Sequence, residues 1–478
     1  MSILDEAALP GLAKTIASPS YDRSRLSTGV LHFGPGAFHR AHQADYIDRL
    51  LDHDPRWAIA AVSLRSPATI DALKRQDGLY TLAILDEEPS FRIIGAHNRF
   101  FGPGECGRVR AQLSDPGVKI VSSTVTEKGY CLAGDGTLDF NHPDIAQDLI
   151  RPDAPESLVG WLALGLRDRR DAGLAPFTPL CCDNMVANGR KLGAAVESFA
   201  RRLDQDLADW IAGEVRFPNA MVDSITPATD EATRSEVRGA IGVLDAIPVR
   251  REAYASWVIE DILPPDAPDL ASVGAVLTGD VAAHELAKLR ILNGAHSSLA
   301  YIGLLLGHET VADAMRDPDL ARFIERLIHA DIIPGIPPAF DLKQYAGEIV
   351  QRFRNPSIGH QLSQIAWDGS QKLPYRLLDS IGDALGSGRS VERLTVPIAS
   401  WMLFVERQAR AGIELVDPLA QQLADIGRRG NLVPDLLSLR TVFPQGVAAN
   451  AAFRSAIENA IEIMRTSGPR TLIGATNE

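Results

Sequence analysis

Strand-like runs stop near residue 280 of this chain and do not return. Before that point short apolar and β-branched runs alternate with helical spacing. After it, segments near 281–306, 317–331, 341–354, 391–411, 417–428 and 448–467 carry apolar residues at helical intervals, punctuated by Pro334, Pro337, Pro338, Pro356, Pro374, Pro434 and Pro444. A chain of 478 residues is too long for one hydrophobic core. The pattern therefore predicts a mixed α/β domain over 1–280 and an all-helical domain over 281–478.

The first half opens on Gly29-Val-Leu-His-Phe33, an apolar run that breaks at Gly34-Pro-Gly36-Ala37-Phe38-His39 and continues as a helical pattern through Leu51. Strand, glycine turn and helix begin a dinucleotide-binding unit, where glycines let backbone amides approach a pyrophosphate. Gly34 and Gly36 fill the first two glycine positions, and His39 stands where the third is expected; on spacing alone a purely structural loop fits equally well. A second strand is expected over Trp57–Leu64, with Ser66 as N-cap and Pro67 as first residue of the next helix. The acid that would bond a ribose hydroxyl at that strand end is missing. Arg65 and Ser66 stand there instead, which leaves NAD or NADP open, since both side chains could accept a phosphate. Residues 79–86 and 91–95, joined by Glu-Glu-Pro-Ser, read as an antiparallel pair. Further strands are expected over 118–126 and 176–182, with a helix over about 155–173 between them. The second of these strands runs into Asp183-Asn184, and polar residues just past a strand end are where open α/β sheets bind ligands. An Asx turn or helix N-cap accounts for Asn184 equally well.

Lys288-Leu-Arg-Ile-Leu-Asn293-Gly-Ala-His296-Ser297 gathers an amine, an amide and an imidazole. On a regular α-helix, turning about 100° per residue, Asn293 and His296 are neighbours and Lys288 lies within roughly 140° of them. A desolvated lysine can serve as base, an amide can donate to a developing alkoxide, and a histidine can orient a hydroxyl. Taken alone, the stretch reads first as an ordinary buried helix, with Leu289, Ile291, Leu292 and Leu299 as core and Lys288 and His296 at its edge.

Lysine and arginine number 48 against 61 aspartates and glutamates, a formal charge of −13. That balance disfavours nucleic acid and anionic membrane surfaces as partners. Cys106, Cys131, Cys181 and Cys182 show no CxxC or Cys/His spacing of a zinc site, and four in this length fit a reducing cytoplasm better than a disulfide framework. No run approaches the ~18 apolar residues of a membrane span, and the N-terminal residues lack a leader pattern.

Several ordered motifs together resemble the polyol-specific long-chain dehydrogenases, the mannitol dehydrogenase family that also includes fructuronate reductases. They are Phe33-Gly-Pro-Gly-Ala-Phe-His-Arg-Ala-His-Gln43, Thr124-Val-Thr-Glu-Lys-Gly-Tyr-Cys131, Cys182-Asp-Asn184, Phe217-Pro-Asn-Ala-Met-Val-Asp223, Trp257-Val-Ile-Glu-Asp261, the Lys288 to Ser297 stretch and Asp368-Gly-Ser-Gln-Lys-Leu-Pro374. The resemblance implies a Rossmann-type N-terminal domain and an all-α C-terminal domain similar to that of 6-phosphogluconate dehydrogenase. It further implies a nicotinamide cofactor, NAD with NADP still open, a small sugar acid or polyol as substrate, metal-independent catalysis and a monomer. Gly34, Gly36, Ala37, Phe38, Arg65 and Ser66 would contact the cofactor. By the same resemblance Lys288 is the acid or base, Asn184 and Asn293 polarise the reacting oxygen, His296 positions substrate, Glu127 helps the lysine exchange its proton with solvent, and Lys372 contacts substrate.

Gln364 stands where mannitol dehydrogenases carry an arginine, and the string Gln364 to Leu378 looks closer to fructuronate reductases. A hexonate carboxylate leaving water needs a cation, for which His360, Lys372 and Arg376 are the nearby choices, although a surface role fits Arg376 as well. Arg354, in Arg-Phe-Arg-Asn-Pro, occupies a place where relatives would carry a small polar residue. The expected reaction is interconversion of D-fructuronate and D-mannonate, with mannitol/fructose or arabinitol/xylulose chemistry as the alternative. A non-catalytic sugar sensor on the same fold and a decarboxylating dehydrogenase are more distant readings.

Overall fold

A computed structural model describes residues 2–86 and 88–476. The chain divides into two compact units, Met1–Ala282 and Ala283–Glu478.

The strands of the first unit are β1 (Thr28–Phe33), β2 (Ala58–Val62), β3 (Tyr80–Leu85), β4 (Ser90–Ile94), β5 (His97–Phe101), β6 (Ile120–Ser123), β7 (Thr178–Cys181), β8 (Ala220–Asp223), β9 (Val249–Glu252), β10 (Ser256–Glu260) and β11 (Val276–Thr278). Five of them form a parallel sheet in the order β5-β2-β1-β6-β7. Every residue of β1, β2, β6 and β7 is buried, as expected for strands covered by helices on both faces. From β1 the chain moves to β2 on one side and later to β6 on the other. The crevice past the ends of β1 and β6 is thus the switch point at which such sheets bind ligands.

The antiparallel pair expected over 79–86 and 91–95 is present as β3 and β4, in register from Tyr80 opposite Ile94 to Ile84 opposite Ser90. Residue 87 of its connection lies outside the described residues. The pair does not extend the parallel sheet but joins β9 in a separate three-stranded sheet, and β8, β10 and β11 form another. β5, by contrast, gives little signal in the sequence: Asn98 and Arg99 interrupt its apolar pattern, and it is held by parallel pairing to β2.

Two helix boundaries differ from expectation. The helix after the glycine turn is broken at His42 (φ −118°, ψ −86°) into Ala37–Ala41 and Gln43–Leu50. The break lets His42 Nε2 bond the Ser256 carbonyl at 2.9 Å. The next helix runs Ala68–Arg75 with Pro67, not Ser66, at its N-cap.

The second unit is helical throughout its described residues. Gly294–Leu306, Glu392–Ala411 and Ala451–Thr466 form its centre, the Glu392–Ala411 helix packing against both others. Three π-type segments interrupt the α-helices: Lys288–Asn293, Leu327–Ile332 and Pro374–Leu378. The Lys288 segment packs against the other two. At 374 proline has no N–H to give the α-helical ladder, a local reason for the wider turn.

Candidate active site

The first unit carries a groove of about 580 Å³ along the ends of β1, β2 and β6. It is lined by Gly34, by Ser63, Leu64 and Arg65, by Val125, Thr126, Lys128 and Gly129, and by residues from two following segments that include His142, Asp144 and Ser157. Gly34 has φ +89°, and a Cβ there would collide with the Thr124 carbonyl. The turn therefore requires glycine and keeps the backbone bare toward the groove. Gly36, Ala37 and Phe38 carry that turn into the short helix, with Gly36 exposed. Ser66 lies past the strand end, where its carbonyl accepts from Ser63 Oγ at 2.7 Å.

His39, in place of a third glycine, lies flat on His32 of β1 with ring centroids 3.4 Å apart and an interplanar angle of 13°. A glycine there usually allows close helix-to-strand packing; two stacked flat rings achieve a similarly close approach.

Glu127 and Asn184 come together in a second cavity of about 310 Å³, lined also by Thr126, Lys128 and Asp183. Asp183 organises this corner. Its carboxylate accepts from Val125 N at 2.9 Å, Thr126 N at 3.2 Å and Tyr130 Oη at 2.7 Å. Burial pushes the Asp183 carboxyl above its ordinary range. Thr126 is held at φ 66°, ψ 160°, a conformation that side chains rarely adopt and that concentrates at functional sites.

In the second unit, the Lys288 stretch is not a regular α-helix. Residues 288–293 form a π-type turn that passes into the α-helix Gly294–Leu306. Because π-type bonds close five residues back, Asn293 lies closer round the helix to Lys288 than the roughly 140° of a regular α-helix. The sequence places the amine and amide on one side; the π-turn aligns them more closely than regular α geometry allows.

One turn on, His296 is buried, its ring stacked on Phe353 (4.5 Å) and edge-on to His360 (5.2 Å). Burial, reinforced by His360 and nearby Arg352 and Arg376, drives the His296 pKa well below its ordinary value, so the ring is neutral. Two buried ring nitrogens, His296 Nε2 and His360 Nδ1, have no hydrogen-bond partner among the described residues. Arg376, from the π-segment Pro374–Leu378, is largely withdrawn from solvent and donates to Ser297 Oγ at 3.1 Å. Lys372 is half-buried, 4.0 Å from Asp368 and 3.5 Å from the Ile365 carbonyl. Its pKa is lowered by burial first and by Arg376 second, while His360 is lowered by burial and then by Lys372. Lys372 and Arg376 are thus the cationic members of a group that also holds the His296 and His360 rings.

Gln364 is exposed, on the short helix Leu362–Ile365. Arg354 faces solvent and pairs with Glu325 at 2.6 Å, which gives it a local partner away from the cluster.

The metal question has one candidate among the described residues: Cys131, His142 and Asp144 offer ligand atoms within 4.8 Å of one another. Burial pushes the Cys131 thiol up to about 11, so it is not a ready thiolate, and the Asp144 carboxylate is taken by Arg65 at 2.6 Å. Asp144 and His142 carried no signal beyond a helix-start pattern, His-Pro-Asp; only the fold brings them to the groove.

A Rossmann-type sheet with a ligand groove at its switch point, followed by a helical unit holding a lysine, an amide and a cluster of two imidazoles and two cations, defines a dinucleotide-binding oxidoreductase. The chain belongs to the mannitol dehydrogenase family: residues 28–271 match its Rossmann domain and residues 280–465 its C-terminal domain. It is 40% identical over 476 residues to D-mannonate oxidoreductase of Escherichia coli (strain K12), covering 96% of this chain and 98% of that one. Among solved structures, a D-sorbitol dehydrogenase in substrate-free form matches with TM-score 0.93 at 30% identity, covering 98% of this chain and 100% of the other. Mannitol 2-dehydrogenase of Pseudomonas fluorescens, in a ternary complex with NAD and D-mannitol, matches with TM-score 0.82 at 33% identity over 99% of both chains. No helix among the described residues is long and apolar enough to cross a membrane.

Proposed function

We propose that the protein is an NAD-dependent dehydrogenase of sugar acids, interconverting D-fructuronate and D-mannonate. The observation that carries this reading is the cluster of His296, His360, Lys372 and Arg376 in the second unit. Two buried imidazole nitrogens with no partner among the described residues can bond a ligand with hydrogen-bonding groups, as sugar hydroxyls supply. The Arg376 guanidinium, bonded to a neutral serine hydroxyl, is free of any ion pair among the described residues and suits a carboxylate. The 40% identity to a D-mannonate oxidoreductase supports the same choice.

On this reading Arg376 and Lys372 hold the carboxylate, and His296 and His360 bond substrate hydroxyls. Lys288 takes the proton from the reacting hydroxyl during oxidation and returns it when a ketone is reduced. Asn293, aligned with it by the π-turn, donates to the oxygen as negative charge develops there. In the first unit, Asn184 and Glu127 line one cavity, where they offer an amide donor and an exposed carboxylate for proton exchange with solvent. The bare turn at Gly34 and the groove beside it fit a dinucleotide. Bound NAD supplies the hydride acceptor, so no metal is required.

The test is NADH oxidation with D-fructuronate, D-tagaturonate and D-fructose offered in parallel near neutral pH. Fructuronate turnover is expected. Turnover of fructose alone would make the protein a polyol dehydrogenase and leave the cationic cluster without its substrate role.

A further inference from the structure

The acid expected at the end of β2 is absent, yet a carboxylate does reach that part of the groove. Asp144, in the first turn of the helix Pro143–Ile150, lines the same cavity as Ser63, Leu64 and Arg65. Its Oδ2 accepts from Arg65 Nη2 at 2.6 Å. The two partners are unequal: the Asp144 side chain is 19% exposed and that of Arg65 80%. The carboxylate is therefore the built part of the wall, and the arginine is laid over it from solvent. The Asp144 backbone is itself fixed, donating to Nδ1 of the N-cap residue His142 at 3.3 Å.

Resting on the NAD-dependent reading above, we propose that Asp144, and not a residue of the β2 end, is the carboxylate that selects an unphosphorylated adenosine ribose. Arg65 serves as its counter-ion. An ionised carboxylate accepts hydrogen bonds from ribose hydroxyls. A 2′-phosphate would bring nearly two negative charges against it, and Arg65, already engaged by Asp144, is not free to compensate. The sequence alone shows Arg65 and Ser66 as ready phosphate acceptors. The ion pair reverses that reading, and the protein favours NADH over NADPH.

The experiment measures dissociation constants of NADH and NADPH, and of ADP-ribose and its 2′-phosphorylated form, by fluorescence or calorimetry. It uses the full-length protein and the Asp144→Asn variant, with kcat/KM for fructuronate reduction in parallel. The wild type is expected to bind the unphosphorylated member of each pair at least ten times more tightly. Asp144→Asn keeps the shape and releases Arg65, so the preference should shrink at least tenfold, mainly through tighter binding of the phosphorylated ligands. Equal or inverted preference in the wild type overturns the proposal whether or not the variant folds. So does an unchanged ratio in a variant whose Tm stays near the wild-type value. If NADH drives fructuronate turnover while either of these results holds, only the role of Asp144 is lost; if neither coenzyme binds, the dehydrogenase reading falls with it.

Discussion

Nε2 of His39 lies 3.1 Å from Nε2 of His97, and the His39 ring is stacked on His32. These three imidazoles are fully buried beneath the glycine turn. Their closeness makes the fold of the first unit sensitive to acid.

Burial pushes His32 down to about 3; His97 falls to about 3 by burial and then by its His32 neighbour, and His39 lies well below its ordinary value for the same reasons. In the unfolded chain each would titrate near ~6.5. Below that pH the unfolded state takes up protons that the folded state refuses, so stability is full above about 6.5 and falls as pH drops toward 3. Each imidazole contributes up to ~1.4 kcal/mol per pH unit in that window. Denaturant unfolding at pH 7.5, 6.5 and 5.5 should show progressive loss. A stability that is flat from 7.5 to 5.5 would mean that the cluster opens to solvent and protonates without unfolding.

Lys288→Ala should abolish proton transfer while leaving the first unit's groove intact. We expect kcat to fall by about 10²–10⁴ in both directions, the usual worth of a positioned acid or base. NADH affinity should stay within about twofold, since the groove is built wholly from first-unit residues. In the wild type, oxidation should rise with pH and ketone reduction should be favoured at lower pH. A response to sugar that survived the substitution would instead indicate a sensor.

Arg376→Gln separates a sugar acid from a neutral sugar. Losing the guanidinium leaves the Ser297 hydroxyl without its 3.1 Å donor but removes no salt bridge among the described residues. Its cost should therefore appear in binding of a charged substrate. A charge-assisted pair contributes about 1.5–3 kcal/mol, so kcat/KM for fructuronate should drop by about 10- to 100-fold while that for fructose changes little. Equal losses on both substrates would place Arg376 in support of the helix instead.

Much of this architecture is legible because local chemistry and fold agree. The β1 run, the Gly34 turn and the loss of strand signals past 280 each report a backbone constraint, and the motif strings carried the family. What the sequence hides is whatever depends on pairing across the fold. β5 is recognisable only through β2, and the Asp144 to Arg65 pair spans 79 positions. The π-turn at Lys288 is hidden for another reason: apolar spacing cannot distinguish one wide turn from regular helix. The amine and amide were visible, but not their alignment. Arg376 is the opposite case, a residue that composition would leave on the surface and tertiary packing brings in against Ser297.

The corner that presents Glu127 and Asn184 depends on a residue that touches neither role directly. Asp183 satisfies Val125 N, Thr126 N and Tyr130 Oη with one carboxylate, and Thr126 N belongs to a residue in a strained conformation. In Asp183→Asn one oxygen becomes an amide NH2, a donor facing hydrogens it cannot accept. At least one of the three donors then loses its partner, at a cost of about 1–3 kcal/mol, and strain of about 1–3 kcal/mol at Thr126 is no longer opposed. The cheaper response is for the turn to open. We therefore expect a modest fall in denaturant midpoint and a larger loss of kcat, with coenzyme affinity reduced less because Gly34 and the β2 end are untouched. Thr126→Gly in the same background relieves the strained conformation and should restore part of the activity. If it restores none, loss of the Asp183 charge rather than opening of the turn accounts for the defect.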